Sequence, residues 1–537
     1  MSYSAHPMTT NKHLTQAQEK VDFLIIGAGV AGLIAANRLA QAGASVLVTE
    51  ANHQVGGLLV NIKRRGFRFD AGCQSFESMG MLFPILERLG LAGQDDFWRV
   101  FHRMVGPPTA DKNYPGGLFD FPLSDWDTVL EAWLTNEQAT PEAIHKLHRR
   151  LARVDQITRL AQEHPLPAVL PKGQKLKAWL YILKSLWALP IAVGAAGKDF
   201  EKIVSDTLGE GDLSRMLARS GYTRTDLLSA AGFFHSWFRD YWYPKGGSGA
   251  LPHTLARNLT SMGGRIELKQ RVESLIINKG RAVGVKTHRG RSFYANKILF
   301  TGAAPVLYGK LLKEHPGVGG RFAKGCLQTR PSDPIITVYL GLDMPLDQLR
   351  ERMRDTMHLF YYPDTQVLRV NEHLDDPDIH SKLWVQINAP NLHEPDMAPP
   401  GKSCLAVQAF SDPRWLKRWG LLGKSKGDLS RDQDYKALKH KVAGEITNTA
   451  AAIVPELADR VEYMDLGSPM SITRFTHNSE GSTTGWSFNP KHGPMGRPFF
   501  RSKSGLPGLY TAGHWYMHPG GVPFAALHGW VTAGRML

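Results

Sequence analysis

The chain has 537 residues, of which 42% are hydrophobic and 21% are charged, and its formal net charge is +15. This length exceeds what one hydrophobic core usually supports, so we predict two domains, and the composition argues against a wholly disordered, fibrous or membrane-embedded protein. A basic surface can attract nucleic acid or anionic lipid, but the sequence has no dense Lys/Arg run with interleaved aromatic residues, which argues against nucleic acid.

The spacing of the cysteines and the composition of the first residues indicate the cellular compartment. Cys73, Cys326 and Cys404 are far apart, with neither metal-ligand spacing nor a disulfide framework, which is typical of a reducing compartment. Residues 1–20 are polar and lack the apolar segment of a secretory signal. We therefore expect a cytoplasmic protein that binds no metal ion.

The first regular element is a short apolar strand over 23–26, followed at once by the glycine spacing G-x-G-x-x-G. In this arrangement Gly27 makes the tight turn, Gly29 lets the backbone approach a pyrophosphate, and Gly32 lets the next helix pack closely on the strand. An alanine- and leucine-rich helix is predicted over 33–42, ending before a glycine. The pattern predicts a dinucleotide-binding unit.

A second buried strand over 45–49 leads into Glu50, which stands 18 residues after Gly32 (50 minus 32). A carboxylate at this place can accept hydrogen bonds from both ribose hydroxyls of an adenosine. The pyrophosphate would lie on backbone N–H groups at the start of the helix, including those of Val30 and Ala31, where the helix dipole favours negative charge. This unit alone leaves the choice between FAD and NAD open.

The next stretch, ANHQVGGLLVNIKRRGFRFDAGCQSFES, bears on that choice. It resembles the second glycine motif of the flavin amine oxidase superfamily, and the chain as a whole is most similar to the phytoene desaturase-like and carotenoid isomerase-like branch. The resemblance implies that Gly56, Gly57 and Leu58 lie along the phosphates and ribityl chain of FAD. The motif GF-x-FD-x-G over 66–72 would then lead toward the flavin. We expect non-covalent FAD, with Cys73 as a small buried side chain rather than a covalent flavin link.

Two later segments resemble the same superfamily. The middle one has a helix predicted over 250–259 and an antiparallel hairpin that includes 281–287, and the resemblance implies that Val272 contacts the adenine through its backbone. The last one reads GLYTAGHWYMHPGGVPFAALHGWVTAGRML, with a strand over 509–512 and a final helix. By resemblance, the residues of this segment that approach FAD are Gly513, Gly521 and Val522, and the amino end of the final helix can stabilise negative charge on reduced flavin.

The resemblance implies an α/β fold, with a Rossmann-type FAD-binding domain of the glutathione reductase-like kind and an inserted mixed α+β substrate domain. The FAD-binding domain would comprise residues 20–84, 241–304 and 461–537. The substrate domain would comprise residues 85–240 and 305–460.

A lysine-interrupted apolar stretch over 174–193 has its own physical character. It is too short to be predicted as a transmembrane helix. Its apolar side chains fall on one stripe of a helix and are flanked by Lys177 and Lys184. The stripe consists of Leu176, Trp179, Leu180, Leu183 and Trp187. We predict a helix on an anionic membrane surface, as in relatives that take lipid-soluble polyenes. The alternative is an ordinary helix packed within the substrate domain.

The segment FFHSWFRDYWYPKGG is dense in aromatic residues, which fits either core packing or a pocket for a flat, apolar or conjugated substrate. Its Tyr243 is a candidate catalytic residue because it leads into the flavin-binding section. His514 and His518 are further candidates because their motif passes the flavin, and His235 is weaker. Hydride transfer needs alignment and water exclusion more than a dedicated base, so no acid–base pair is required.

Three functions remain open. The leading hypothesis is an FAD-dependent dehydrogenase, desaturase or isomerase that acts on carbon–carbon bonds of an apolar polyene or isoprenoid, with oxygen or a quinone as electron acceptor. The second is an FAD-dependent amine or cyclic imine oxidase of secondary metabolism, because one fold serves both chemistries. The third is a non-enzymatic carrier of prenylated partners of the GDP-dissociation inhibitor type. The complete FAD signature favours the enzymes.

Overall fold

The computed structural model describes residues 20–107, 120–135, 138–412, 414–415 and 432–537. The strands, in chain order, are β1 (Lys20–Ile26), β2 (Val46–Thr49), β3 (Asn61–Arg64), β4 (Phe67–Asp70), β5 (Phe97–Arg99), β6 (His102–Val105), β7 (Asp120–Pro122), β8 (Trp242–Pro244), β9 (Arg265–Glu267), β10 (Val272–Asn278), β11 (Arg281–Thr287), β12 (Ser292–Phe300), β13 (Ile335–Leu342), β14 (His358–Tyr361), β15 (Val385–Asn388), β16 (Ser403–Phe410), β17 (Val461–Gly467) and β18 (Leu509–Thr511).

The helices follow in the same order. They are α1 (Val30–Gln41), α2 (Leu82–Arg88), α3 (Trp126–Leu134), α4 (Pro141–Glu163), α5 (Lys175–Lys184), α6 (Leu189–Ala195), α7 (Phe200–Leu208), α8 (Asp212–Arg219), α9 (Leu227–Arg239), α10 (Ala250–Ser261), α11 (Ala304–Val306), α12 (Gly320–Gln328), α13 (Leu346–Arg352), α14 (Gln433–Ala450), α15 (Pro469–Thr476) and α16 (Val522–Met536).

The first sheet has the order β10-β11-β12-β1-β2-β9, with β18 also paired to β12. Strands β9, β2, β1, β12 and β18 run parallel, whereas β10 and β11 form the predicted antiparallel hairpin. The central strands are apolar and buried on both faces, as parallel strands covered by helices require. Helices α1, α10 and α16 pack against this sheet.

The turn between β1 and α1 differs in one detail from the prediction. Helix α1 begins at Val30, three positions before the predicted start at residue 33, because Gly29 is already in an extended cap conformation at φ −78° and ψ 178°. The first helical N–H groups therefore belong to residues inside the glycine motif. This places the amino end of the helix where a pyrophosphate would need it.

The second sheet is mixed, with the order β17-β13-β16-β15-β14-β6-β7. Its neighbours are antiparallel except for β14 and β6. Strand β17 hydrogen-bonds along β13, with Thr337 opposite Gly467. The predicted boundary between 460 and 461 is therefore wrong for β17, because its backbone partners lie in the substrate-domain sheet. The chain leaves that sheet only at α15.

A helical layer completes the second domain. Helices α3, α4, α7, α8 and α9 share a core with side chains from one end of the second sheet, among them Met104, Phe360 and Trp384. His235 lies in this core between α9 and α4, and its Nδ1 and Nε2 hydrogen-bond with Asp155 and Gln162 at 2.8 Å each. His235 is fully buried, so these contacts give it a structural role.

The apolar stretch predicted as one helix over 174–193 is broken. Helix α5 ends at Lys184, a tight turn covers Leu186–Ala188, and α6 follows, with a bend of 47° between the two helical parts. Within the described residues, no single helix has both the length and the apolar character to cross a membrane, although this bent pair together meets those two criteria. The predicted apolar stripe is exposed, as Leu176 (71%), Trp179 (55%) and Leu183 (59%) show.

Candidate active site

One large cavity, of about 1340 Å³, lies between the two sheets. Its lining comes from some residues of each of several segments far apart in the chain, which lie within 26–31, 49–64, 71–77, 220–241, 300–311, 471–484 and 513–525. Pockets for drug-sized ligands usually measure about 300–1,000 Å³. The cavity therefore has room for an extended dinucleotide and a second ligand beside it. We call the glycine-lined part the nucleotide end and the aromatic part the substrate end.

The nucleotide end is formed by the turn between β1 and α1. Gly27 has a φ of +105°, which an L side chain rarely adopts, and a Cβ on Gly32 would stand 2.1 Å from the Gly27 carbonyl oxygen. Gly29 differs, since a Cβ there would meet no protein atom within 4 Å. Gly29 lines the cavity together with Val30 and Ala31. The open space over Gly29 is therefore available to a ligand.

Glu50 lies at the end of β2 and lines the same cavity. Its Oε2 accepts a hydrogen bond from the Ala28 N–H at 2.8 Å, and its Oε1 accepts from the Asn52 N–H at 2.8 Å. These donors fix the carboxylate at the edge of the glycine turn. The remaining lone pairs can accept ribose hydroxyls, as predicted.

The second glycine motif joins the first directly. Gly56 forms a parallel bridge with Gly29, and its N–H donates to the Ala28 carbonyl at 2.9 Å. Gly57 and Leu58 also line the cavity. Val272, predicted to contact adenine, lines it too, at the start of β10. The structure thus brings the predicted nucleotide residues to one continuous surface.

The Asp of the GF-x-FD-x-G motif has another role. Asp70 is fully buried and accepts hydrogen bonds from the Tyr243 hydroxyl (2.7 Å), the Ser248 N–H (2.7 Å) and the Asn61 Nδ2 (2.6 Å). Burial raises the pKa of the Asp70 carboxyl. The motif therefore ties β4 to β8 and to the turn that follows it.

The carboxy-terminal motif supplies the opposite wall. Gly513, Gly521 and Val522 line the cavity, and Val522 is the first residue of α16, so the positive end of that helix dipole faces the cavity. His514 lines it as well, and its buried Nε2 has no hydrogen-bond partner among the described residues. Burial lowers the pKa of His514 to about 4, which leaves the imidazole neutral near pH 7.

The other two catalytic candidates lie outside the lining. His518 is turned away, and its Nε2 donates to the Ser487 carbonyl at 3.1 Å. Tyr243 is fully buried, with its hydroxyl on Asp70. These contacts favour structural roles for both residues, whereas His514 remains a candidate at the cavity.

The aromatic segment on and after α9 divides by helical periodicity. Phe233 and Trp237 face the cavity one turn apart, and Tyr241 joins them after the helix ends. Phe234 and Phe238 point the other way into the helical core. The segment therefore contributes different side chains to core packing and to the wall of the cavity. The substrate end is completed by the aromatic residues Tyr222, Phe360, Trp384, Phe410 and Phe488.

Several polar residues at the junction of the two ends were not predicted from the sequence. Glu77 lines the cavity, as do Tyr222 and Thr484, whose Oγ1 is buried without a hydrogen-bond partner in the described part of the chain. Glu77 follows the FD-x-G motif by five positions (77 minus 72). Its position shortly after a motif expected to lead toward the flavin is the sequence feature that could have identified it. Tyr222 and Thr484 carry no such signal, because their place depends on distant packing.

The lining suits FAD in several respects. The open space over Gly29 faces the amino end of α1, and Glu50 offers carboxylate lone pairs at the edge of the same turn. The buried polar atoms of His514 and Thr484, which have no hydrogen-bond partner in the described part of the chain, lie at the far side of the cavity. Such buried groups normally have partners, so a polar ligand is expected against them. FAD supplies a ribose, a pyrophosphate and a polar flavin ring, with the pyrophosphate between the other two.

Comparison with known proteins assigns the family. The family model for flavin-containing amine oxidoreductases matches residues 30–369, which is more than half of the chain. The chain belongs to this family. It is therefore an FAD-binding oxidoreductase, as the glycine motifs predicted.

Three relatives indicate the branch. The chain is 23% identical to all-trans-retinol 13,14-reductase of Danio rerio, over 97% of this chain and 87% of the relative. It is 25% identical to prolycopene isomerase of Daucus carota (96% and 80% covered) and 25% identical to phytoene desaturase of Pseudescherichia vulneris (96% and 98% covered). The predicted similarity to phytoene desaturase-like and carotenoid isomerase-like proteins is confirmed.

Solved structures share the fold. An oxidoreductase from Methanosarcina mazei matches with a TM-score of 0.59 at 15% identity, over 95% of this chain and 98% of the other. Cyclohexylamine oxidase from Brevibacterium oxydans matches with a TM-score of 0.58 at 14% identity, over 96% and 99%. The fold is therefore the predicted one, with a parallel FAD-type sheet and a mixed substrate-domain sheet.

Proposed function

We propose that the protein uses FAD to oxidise, reduce or isomerise carbon–carbon bonds of an apolar polyene or isoprenoid. The observation that carries this proposal is the continuity of the cavity, in which the glycine-lined nucleotide end opens into a substrate end walled by aromatic side chains. Flat aromatic faces pack well on conjugated chains and exclude water from the reacting bond. The names of the relatives, which specify retinol, prolycopene and phytoene, support the same class.

The protein's own residues would have defined tasks. The turn at Gly27 and Gly29 and the amino end of α1 would hold the pyrophosphate, and Glu50 would hold the ribose. Bound FAD supplies hydride acceptance and donation. The amino end of α16 would favour negative charge on the reduced ring. Phe233 and Trp237 would hold the polyene in alignment with the flavin, which lowers the barrier to hydride transfer.

Anaerobic titration tests this proposal. We expect the purified, FAD-loaded protein to change its visible flavin spectrum on addition of phytoene, prolycopene or retinol, either in the oxidised or in the dithionite-reduced state. Putrescine and cyclohexylamine are the matched amine probes. A spectrum that responds to the amines and to none of the polyenes would replace this proposal with carbon–nitrogen oxidation. A protein that takes up no FAD would revive the carrier hypothesis.

The flavin is expected to be held without a covalent bond. Cys73 is the one cysteine in the cavity lining, and burial raises the pKa of its thiol to about 12, so little thiolate exists near neutral pH. Its Sγ donates to the Ser75 carbonyl at 3.0 Å instead. We expect acid precipitation to release all flavin from the unmodified protein and equally from Cys73→Ser. Flavin that stays with the unmodified protein but leaves the variant would show a covalent link.

We propose that one surface of the protein binds the face of an anionic membrane. This surface is formed by α5, the turn over 186–188 and α6. Exposed apolar side chains next to Lys177 and Lys184 are the composition that interfacial helices use. Helix α6 packs against α4 and α9, and α9 carries Phe233 and Trp237. A substrate dissolved in the lipid would therefore reach the protein next to the helix whose side chains line the substrate end. We propose a cytoplasmic protein held peripherally, with oxygen or a quinone as electron acceptor.

A further inference from the structure

Three carboxylates line the cavity, and they differ in their surroundings. Glu50 is held by the N–H groups of Ala28 and Asn52 at the nucleotide end. Asp465 pairs with Lys439 at 2.9 Å. Glu77 has neither a cationic partner nor a side-chain donor among the described residues, although it lies between the two ends of the cavity. Shielding a carboxylate from water without such a partner is costly, which favours a functional role for it.

The backbone on both sides of Glu77 is fixed. Phe76 exchanges two backbone hydrogen bonds with Trp242, at 3.0 and 2.9 Å. On the other side, the Met79 N–H donates to Oδ2 of Asp240 at 2.6 Å. The loop between β4 and α2 is therefore anchored to the end of α9 and to β8. Glu77 is held toward the cavity by this frame and is not a freely moving surface side chain.

The carboxylate stands beside the start of α16. Its Oε1 lies 3.6 Å from the point where a Cβ on Gly521 would stand, and Gly521 immediately precedes the first helical residue, Val522. On the other side, Cys73, Tyr222 and Glu77 are close enough to influence one another electrostatically. Glu77 thus touches the wall predicted to meet the flavin and also borders the aromatic substrate end.

The pKa of Glu77 lies nearer to neutral pH than those of the thiol, phenol and imidazole groups around it. Burial, with the nearby negative charge of Asp240, raises the pKa of the Glu77 carboxyl to about 7. Burial raises the pKa of Cys73 to about 12 and moves those of Tyr222 and Tyr241 above their ordinary values. Burial lowers the pKa of His514 to about 4.

Asp240 is buried and is occupied by donors from two residues, since its Oδ1 accepts from the Trp242 indole N–H at 2.7 Å while its Oδ2 accepts from Met79. Its pKa is raised by burial, and Arg99 and His235 are the basic groups whose charges act on it. Both carboxylate oxygens of Asp240 are therefore engaged in hydrogen bonds that anchor this part of the chain. Glu77 is left as the group at this junction that can take up and release a proton near pH 7, which is the property of an efficient acid–base catalyst.

We propose, resting on the function proposed above, that Glu77 exchanges a proton with the substrate in the cavity. In dehydrogenation, one carbon–hydrogen bond gives its hydride to FAD, which is thereby reduced by two electrons. The neighbouring carbon–hydrogen bond leaves its electron pair to form the new carbon–carbon double bond, and its proton goes to a carboxylate oxygen of Glu77. In saturation the same steps run in reverse, with protonated Glu77 as the donor.

Stopped-flow reduction of the FAD-loaded protein by a polyene under anaerobic conditions tests this role. We expect Glu77→Gln to slow flavin reduction by about 100-fold or more, since positioned acid–base groups contribute roughly 10²–10⁴-fold. In the unmodified protein the rate should rise with pH through about 7, as Glu77 loses its proton, and this inflection should vanish in Glu77→Gln. Glu77→Asp should keep an inflection at a reduced rate. Glu87→Gln, on the exposed side of α2, should match the unmodified protein.

A second measurement is independent of turnover. Infrared titration of the FAD-loaded protein should show a carboxylic acid band that disappears as the pH rises through about 7, present in the unmodified protein and in Glu87→Gln but absent in Glu77→Gln. If polyenes reduce the flavin and Glu77→Gln keeps both rate and inflection, the inference is overturned while the proposed function stands. If polyenes leave the flavin spectrum unchanged in the unmodified protein, the proposed function fails and the inference falls with it.

Discussion

Replacing Gly29 with valine is expected to abolish FAD binding while leaving the protein folded. Gly29 has φ −78° and ψ 178°, an extended conformation that any residue adopts, and a Cβ there meets no protein atom within 4 Å. The new side chain would therefore enter the space above the amino end of α1 without straining the chain. That space is the predicted pyrophosphate site, so the substitution acts on the ligand alone.

We expect the affinity for FAD to fall by about 100-fold or more, which corresponds to about 2.7 kcal/mol of binding free energy. The measurement is flavin content after purification, followed by titration of the apoprotein with FAD, with thermal unfolding of the apoproteins as the test of folding. Gly32→Ala is the contrasting variant, because its Cβ would stand 2.1 Å from the Gly27 carbonyl oxygen. It should unfold at a lower temperature than Gly29→Val. Retention of FAD by Gly29→Val would contradict the assigned phosphate site.

Removing the apolar surface of α5 and the following turn is expected to detach the protein from anionic vesicles. Trp179, Leu183 and Trp187 are more than half exposed, at 55%, 59% and 52%, so their replacement by serine leaves the protein core intact. Burying such a side chain in a membrane interface contributes about 1.5–3 kcal/mol. The triple variant should therefore lose at least about 100-fold in vesicle partitioning.

Sedimentation with vesicles of phosphatidylglycerol and of phosphatidylcholine measures this effect. The matched variant Lys177→Gln/Lys184→Gln should weaken binding to the anionic vesicles by about 30-fold, since each of the two lysines near an anionic surface contributes about 1 kcal/mol. It should leave binding to the neutral vesicles nearly unchanged. If the triple variant partitions into vesicles as well as the unmodified protein does, the membrane proposal is wrong. Helices α5 and α6 would then be ordinary helices packed within the substrate domain.

Local pattern was enough to predict the nucleotide end. The strand, the glycines and the helix predicted to hold a pyrophosphate lie within residues 23–42, and Glu50 directly follows the next parallel strand, so spacing along the chain fixes their geometry. The hairpin of β10 and β11 was predicted for the same reason, since it rests on alternation within a short segment. The final helix was expected from the resemblance of the closing motif to the superfamily.

The substrate end depended on the tertiary structure. Helical periodicity separates Phe233 and Trp237 from Phe234 and Phe238, but the sequence does not say which face meets the cavity and which meets the core. The break after Lys184 was also missed, because a continuous apolar stripe does not reveal where a helix turns. Strand β17 was assigned to the wrong domain, since only its hydrogen bonds to β13 define its sheet.

The sequence by itself thus predicted the residues that approach the phosphates, because one βαβ unit carries that geometry locally, and its resemblance to the superfamily implied FAD and the fold. The tertiary structure decided which polar groups face the substrate. His514 lines the cavity whereas His518 and Tyr243 do not, and Glu77 stands between the two ends although no motif names it. Their positions result from packing among segments hundreds of residues apart, and the pKa of a carboxyl depends on that burial rather than on its neighbours in the chain.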